Sequence, residues 1–174
     1  MKMPVNLLKA LLYLIAAVVL LMGPTACKPQ ETELSFETIE LESYPGSIKQ
    51  WEGKEPKLLI VADVQNIDEV RHFVTDKAAL ALSQADFTAH FAILAFRGLQ
   101  GSSHGGFKIE RIIRRGNEVI LYAQPGIPGP ELTESSPYHL ILVQKQSQMK
   151  GDFTFSLYFS ENQAAVASTA RNIP

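Results

Sequence analysis

The chain has 174 residues, 46% of them hydrophobic, and a formal net charge of −2, which suits one domain with a sizeable core. All 18 acidic residues but only 14 of the 16 basic ones lie beyond position 27, so residues 28–174 carry a formal net charge of −4. A negative net charge does not favour binding to nucleic acid, so we expect no nucleic-acid partner. The single cysteine, Cys27, excludes an intramolecular disulfide and a cysteine-based zinc site; the four histidines share no metal-ligand spacing, so we expect neither a metal nor a cofactor.

The first segment, residues 1–26, has the composition of a lipoprotein signal peptide. Two lysines precede a 13-residue apolar run, which is shorter than the roughly 20 residues that a membrane-spanning helix needs. Small or helix-breaking residues then lead to Cys27, an arrangement that resembles a bacterial lipobox. The resemblance implies that Cys27 is acylated and anchors the protein to the outward-facing side of a bacterial membrane in the cell envelope. Ordinary cleavage after Ala26, which leaves a free thiol, and an uncleaved anchor are the alternatives.

The next part of the chain predicts a tether, two strands and a helix. Residues 27–33 are polar and acidic, as in a tether. From Leu34 to Leu41 apolar residues alternate with polar ones, with a one-residue slip that is typical of a strand with a β-bulge. The continuous apolar run Leu58–Val61 predicts a strand at the centre of a sheet. Apolar residues at helical spacing from Ile67 to Val74 predict one short helix.

The second half of the chain predicts further strands. His90–Phe96 is apolar on both faces, and Phe107–Arg114 and Val119–Gln124 flank a turn of hairpin composition. Tyr138–Lys145 indicates another strand. Large apolar residues occupy every second position of Phe153–Phe159, which predicts a strand with one buried face.

These elements predict a mainly β fold. We expect a single antiparallel β-sandwich or small barrel-like domain over residues 34–160, with one short helix. Residues 161–174 have no comparable pattern, so we expect a loose C-terminal tail.

A glycine-rich loop precedes the predicted hairpin. Its glycines are spaced like those of a phosphate loop, but Phe107 stands where that motif needs lysine and no helix follows. Ser102, Ser103 and His104 lie in the same loop. Neighbouring residues of an extended loop point apart and no local acid can orient the imidazole, so we expect no catalysis here.

Basic residues cluster after this loop, giving residues 97–115 a local charge of +4. If Phe107, Ile109 and Ile113 point inward, then Lys108, Glu110 and Arg114 line the outer face. Such a face is either merely solvated or able to steer an acidic partner. The loop and the basic strand together give the candidate partner-binding residues: Ser102, Ser103, His104, Gly105, Gly106, Phe107, Arg111 and Arg114.

Residues from about 91 to 146 resemble the PrcB C-terminal domain family, named for a lipoprotein subunit of a bacterial surface protease complex. The matching residues are Gly98, Ser103, Gly106, Phe107, Ile109, Ile112, Pro125, Gly126, Pro128, Gly129, Pro130, Ser136, Pro137, Tyr138, His139, Leu140, Val143 and Lys145. Phe107 stands where tyrosine is common in the family. The resemblance implies a noncatalytic accessory or binding role beside an exported protease or another envelope protein, and it transfers no catalytic residue.

The sequence thus predicts a membrane-anchored lipoprotein that binds an exported protein and is not an enzyme. An alternative is a secreted β-sandwich that binds a small ligand or inhibits a protease through the loop from Gly101 to Phe107. A hydrolase is a more distant alternative, because no nucleophile has a placed base.

Overall fold

The computed structural model describes residues 30–42, 51–100, 106–126, 134–159 and 164–174. The chain divides into two units, Met1–Gln30 and Glu31–Pro174. The predicted signal peptide and Cys27 lie outside the described residues, as do Ser102, Ser103, His104 and Gly105. The predictions made for these residues therefore remain predictions.

The described part of Glu31–Pro174 forms two sheets, and the predicted β-sandwich is confirmed. The five-stranded sheet has the order β1-β5-β6-β8-β9, and the four-stranded sheet has the order β2-β7-β4-β3. The strands are β1 (Glu31–Glu33), β2 (Phe36–Glu42), β3 (Lys57–Val61), β4 (His90–Phe96), β5 (Phe107–Arg115), β6 (Glu118–Pro125), β7 (Tyr138–Gln144), β8 (Gly151–Phe159) and β9 (Ala167–Ile173). One pair departs from the expected antiparallel arrangement: β6 and β8 run parallel, because the chain crosses to the other sheet as β7 between them.

The chain passes from one sheet to the other between β1 and β2. The N–H of Leu34 donates to the carbonyl of Ile112 in β5 at 3.0 Å. The N–H of Gln144, at the end of β7, donates to the carbonyl of Ser35, also at 3.0 Å. One nearly continuous segment thus pairs first with the five-stranded sheet and then with the four-stranded sheet, and it forms a corner of the sandwich.

The main core lies between the two sheets. Its centre includes Phe91 of β4 and Phe155 of β8, both fully buried, whose rings meet edge to face with centroids 5.7 Å apart. Phe153, Phe155 and Leu157 of β8 are buried in this core, as the alternation predicted, and Thr154 on the other face is exposed, but Ser156 on that face is also buried. Burial of these large side chains is the dominant favourable contribution to the stability of such a domain.

Short helices form a third layer on the outer face of the four-stranded sheet. A 3-10 turn at Val64–Asn66 precedes α1 (Asp68–Arg71) and α2 (Asp76–Gln84). The Oγ1 of Thr75 accepts the N–H of Ala78 at 3.2 Å and caps α2. The prediction of one helix is wrong in number, because this cap starts a second helix after α1 ends. A second core of apolar side chains fills the space between the helices and the sheet, including Phe73, Leu82 and Leu94.

This third layer corrects the expected place of Leu58–Val61. The segment lies in β3, but β3 is an edge strand of the four-stranded sheet. Leu58 and Ile60 face the main core, whereas Val61 faces the helices. The run is apolar throughout because layers cover both of its faces, and not because strands flank it on both sides.

Both ends of the domain are longer than the sequence predicted. Glu31–Glu33, assigned to the tether, forms β1 and pairs with β5. The predicted loose tail is also wrong over Ala167–Ile173, which pairs along β8 and ends at the fully buried Ile173. In β9 the inward positions carry small or polar side chains apart from Ile173, so the strand lacks the hydrophobic alternation that would have indicated it.

Candidate functional site

Two members of the predicted partner-binding set are part of the core. Phe107 begins β5 with only 1% of its surface exposed, and its ring packs edge to face against Phe159 with centroids 5.9 Å apart. Gly106 is buried and has a φ of +84°, a backbone conformation that glycine adopts without strain. The side chain of Phe107 therefore fills the core instead of facing a partner, whereas the partner contact predicted for Gly106 stays a prediction.

A β-bulge in β5 decides which basic residues face outward. The register against β6 shifts between Ile109 and Arg111, so one extra residue stands opposite the partner strand. After the bulge, Ile112 is fully buried, and Ile113, which the uninterrupted alternation placed inside, is only half-buried. The same shift places Arg111 on the outer face of the five-stranded sheet, opposite Tyr122 of β6.

Arg111 and Arg114 lie on opposite faces of β5, since residues three apart in a strand point to opposite sides. The Arg114 guanidinium lies 5.5 Å from the centre of the Phe153 ring at the edge of the core. Its Nη1 donates to Oε1 of Gln146 at 3.2 Å, and its Nε donates to the carbonyl of Gly116 at 2.9 Å. Arg114 therefore connects β5 to neighbouring turns, and its predicted place on the outer face with Lys108 and Glu110 is wrong.

The outer face of the five-stranded sheet carries an in-register row of three side chains, which we call the Arg-Tyr-Tyr row. The row consists of Arg111 on β5, Tyr122 on β6 and Tyr158 on β8, which stand opposite one another across adjacent strands. The Arg111 guanidinium lies 4.8 Å from the centre of the Tyr122 ring, and the centres of the Tyr122 and Tyr158 rings are 5.9 Å apart. Arg111 is exposed and both tyrosines are half-buried, so the row offers a charge and two aromatic surfaces to an incoming molecule.

The surroundings of the Arg-Tyr-Tyr row are polar and include a further positive charge. Lys108 on β5 and Gln124 on β6 are exposed and stand opposite each other in the register. Arg115, farther along β5, is paired with Glu31 on β1. This salt bridge and the neighbouring charge of Glu118 raise the pKa of Arg115, with the Glu31 hydrogen bond as the largest cause. Arg115 is thus partnered, whereas Lys108 and Arg111 are exposed cations beside the row, with the exposed acid Glu110 between them on β5.

The tyrosines of this row were not singled out from the sequence. Tyr158 is one of the polar-side positions of the β8 alternation, but its neighbour Tyr122 is 36 positions earlier in the chain. The two meet only because β6 and β8 pair in parallel, a long-range pairing that local patterns do not predict.

His139 lies on β7 between the sheets and is fully buried. Its Nδ1 accepts the N–H of Ile109 at 2.9 Å, and its Nε2 lies 2.9 Å from Oγ1 of Thr38. Because Nδ1 is an acceptor, the neutral ring carries its hydrogen on Nε2 and donates it to Thr38. Burial, and then the charge of Lys108, lower the pKa of His139 from 6.5 to about 4. The ring is therefore neutral at pH 7 and joins the strand bulges near Thr38 in β2 and Ile109 in β5.

Comparison with protein-family models, curated proteins and solved structures gives no match. The resemblance of residues 91–146 to the PrcB C-terminal domain family thus stays a prediction. Among the described residues, no three His, Cys, Asp or Glu side chains are grouped so that they could hold a metal ion. In the same part of the chain no helix has the length and hydropathy to cross a membrane.

The outer face of the five-stranded sheet is therefore the best-defined candidate surface. Tyrosine and arginine are the residue types that most often carry the binding energy of protein interfaces. Their chemistry in this row is noncovalent: stacking, cation–π contact and hydrogen bonding.

Proposed function

We propose that the protein is a lipid-anchored, noncatalytic binding module of the bacterial envelope that docks an exported protein on the Arg-Tyr-Tyr row. The observation that carries this proposal is the placement of Arg111, Tyr122 and Tyr158 in one register row on the outer face of the five-stranded sheet. The helices cover the outer face of the other sheet, so the two outer faces differ in what they present.

The charge beside the row favours a partner with an acidic contact surface. Lys108 and Arg111 are two exposed cations on the same strand against the one exposed acid between them, Glu110, and Arg111 is already held against Tyr122. A carboxylate that approaches Arg111 gains a charge-assisted hydrogen bond without removing the guanidinium from the ring. Tyrosine rings next to this contact add apolar area at a small entropic cost, since each has only two side-chain torsions. An exported protease, which the family resemblance implies, is one such partner.

The anchoring part of the proposal depends on Cys27. We expect Cys27→Ser to release the protein from the membrane fraction, because acyl chains contribute about 0.8 kcal/mol per buried CH₂ and the serine cannot take the thioether-linked lipid. The measurement is the share of the protein in membrane and soluble fractions of the native host. Equal membrane association of the variant and the parent would show that the anchor is something other than lipid on Cys27.

The docking part depends on the row itself. We expect Arg111→Ala combined with Tyr122→Ala to reduce recovery of the partner by at least about tenfold, since central arginine and tyrosine contacts commonly contribute about 2 kcal/mol or more. The measurement is recovery of one stoichiometric protein with the tagged full chain from detergent extracts, at low and high salt. Raising the salt concentration should reduce recovery of the partner more for the parent than for the variant. The reason is that salt screens the steering by exposed charges, and the variant has lost one of these charges.

Lys77→Ala is the matched control for this experiment. Lys77 is an exposed cation on α2, on the far side of the four-stranded sheet from the row. The Lys77→Ala substitution changes the net charge as Arg111→Ala does but leaves the Arg-Tyr-Tyr row intact. Equal recovery with the row variant and the parent, or equal loss with the Lys77 control, would move the binding surface elsewhere.

A further inference from the structure

A cleft of about 520 Å³ opens at one end of the sandwich, where three connections meet. It is bounded by the turn after β3, the connection between α2 and β4, and the connection between β7 and β8. Its lining includes Asp63, Val64, Asp86, Phe87, Lys145 and Lys150. This volume is within the range of small-molecule sites, and connections held at the end of a rigid scaffold commonly form such sites. None of these residues belongs to the Arg-Tyr-Tyr row.

Lys145 is the best-positioned cation of the cleft. It is half-buried, and its Nζ donates to the carbonyl of Phe87 at 2.7 Å. An ammonium group has three N–H donors, so this bond fixes the side chain and leaves two donors for another acceptor. Burial lowers the pKa of Lys145, whereas the charges of Asp63 and Asp86 act in the opposite direction. Among the described residues no carboxylate oxygen lies within 4.0 Å of its Nζ, so Lys145 has acidic neighbours without a salt bridge.

The two carboxylates of the cleft are also held in place. Oδ1 of Asp86 accepts the N–H of Thr88 at 2.9 Å and its hydroxyl at 2.6 Å, and these bonds are the largest causes of the lowered pKa of Asp86. Oδ1 of Asp63 accepts the N–H of Gln65 at 2.9 Å. Both side chains are therefore fixed by local turns.

The charge balance of the cleft limits what it can bind. Among the side chains that line the cleft, Lys145 and Lys150 are basic and Asp63 and Asp86 are acidic. A simple anion or cation would meet attraction and repulsion in nearly equal measure. A ligand that carries one charge of each sign can instead pair each end with its opposite. Val64, which is 55% exposed, and the half-buried Phe87 also line the cleft and add apolar surface to it.

We propose that this cleft binds a short zwitterionic peptide of two or three residues with an apolar side chain. Its terminal carboxylate pairs with Lys145 and Lys150, its terminal ammonium pairs with Asp86 and Asp63, and its side chain lies against Val64 and Phe87. The cleft is a second binding site in addition to the Arg-Tyr-Tyr row, and this proposal does not depend on which partner the row binds.

The test uses the dipeptide leucyl-leucine and two blocked forms of it, titrated into the purified protein by calorimetry or followed by NMR. We expect saturable binding of the free dipeptide, with the N-acetylated and C-amidated forms at least about tenfold weaker, because each lacks one charge-assisted contact. Equal binding of all three forms would overturn the zwitterion assignment. The absence of binding at millimolar dipeptide would overturn the site.

Variants of the cleft separate binding from folding. We expect Lys150→Met and Asp86→Asn each to weaken leucyl-leucine about tenfold or more, and Lys145→Met to weaken it further. Lys145→Met also loses the hydrogen bond to the carbonyl of Phe87, so the midpoint of its thermal unfolding is measured as well. If that variant unfolds, Lys150→Met still tests the proposal, because Lys150 is exposed. Lys77→Met, on the outside of α2, is the matched control and should bind as the parent does. Unchanged affinity in both Lys150→Met and Asp86→Asn would contradict the proposal, whatever the outcome at the Arg-Tyr-Tyr row.

Discussion

Phe155→Ala is expected to lower the free energy of unfolding by about 3 to 5 kcal/mol, the range for removing a buried phenylalanine from a packed core. Phe155 is fully buried between the sheets and packs edge to face on Phe91. The cavity left by the ring would be bounded by both sheets, which can close it only in part. The measurement is the midpoint of unfolding in urea, converted with the slope of the transition.

Thr154→Ala is the control for this prediction, since Thr154 is the preceding residue on β8 and is exposed. It should change the free energy of unfolding by less than about 0.5 kcal/mol. Phe155→Leu provides a milder change if the alanine variant does not fold. Its loss of unfolding free energy should lie between those of Thr154→Ala and Phe155→Ala. Equal midpoints for Phe155→Ala and Thr154→Ala would contradict the described core.

His139 is expected to make the protein less stable as pH falls from about 6.5 to about 4. Its pKa is 6.5 in the unfolded chain and about 4 in the fold, so the unfolded state binds the proton more readily across this window. The stability from the neutral ring is complete above pH 6.5 and is lost progressively towards pH 4. The full loss is at most about 3 kcal/mol, from the shift in pKa between the two states. Protonated Nδ1 could no longer accept the N–H of Ile109.

His139→Gln isolates this contribution, because glutamine does not titrate while carboxylates elsewhere titrate alike in both proteins. The difference in unfolding free energy between parent and variant should shrink as pH falls from 7 to 4. A difference that stays constant over this range would show that His139 is not the group responsible.

Local sequence patterns were sufficient to predict the fold where neighbours in sequence share one environment. The alternation from Phe153 to Phe159, the double-sided apolar strand at His90–Phe96 and the hairpin turn after β5 all place residues by short-range periodicity. The slip between Leu34 and Leu41 corresponds to the observed register shift in β2 after Thr38. These features follow from pleat geometry and turn composition, so one sequence is enough to predict them.

The remaining features depend on contacts between distant segments. β9 is held by pairing with β8 and by the 2.7 Å salt bridge from Arg171 to Glu69, neither of which leaves a hydrophobic pattern. The bulge in β5 reverses the faces of Arg111 and the residues after it, because one extra residue shifts every later side chain. The charge count indicated a basic strand, but only the register shows that Arg111 lies with Tyr122 while Arg114 lies with Phe153.

Site-specific photo-crosslinking tests the docking proposal most directly. A photoreactive phenylalanine analogue replaces Tyr158 in the full chain, expressed in its native host, and the same analogue replaces Lys77 on α2. Tyr158 lies in the Arg-Tyr-Tyr row, while Lys77 is exposed on the helical layer. We expect one discrete protein adduct from position 158 that weakens with Arg111→Ala, and no such adduct from position 77. The absence of an adduct at position 158, or an equal adduct at position 77, would contradict the docking proposal.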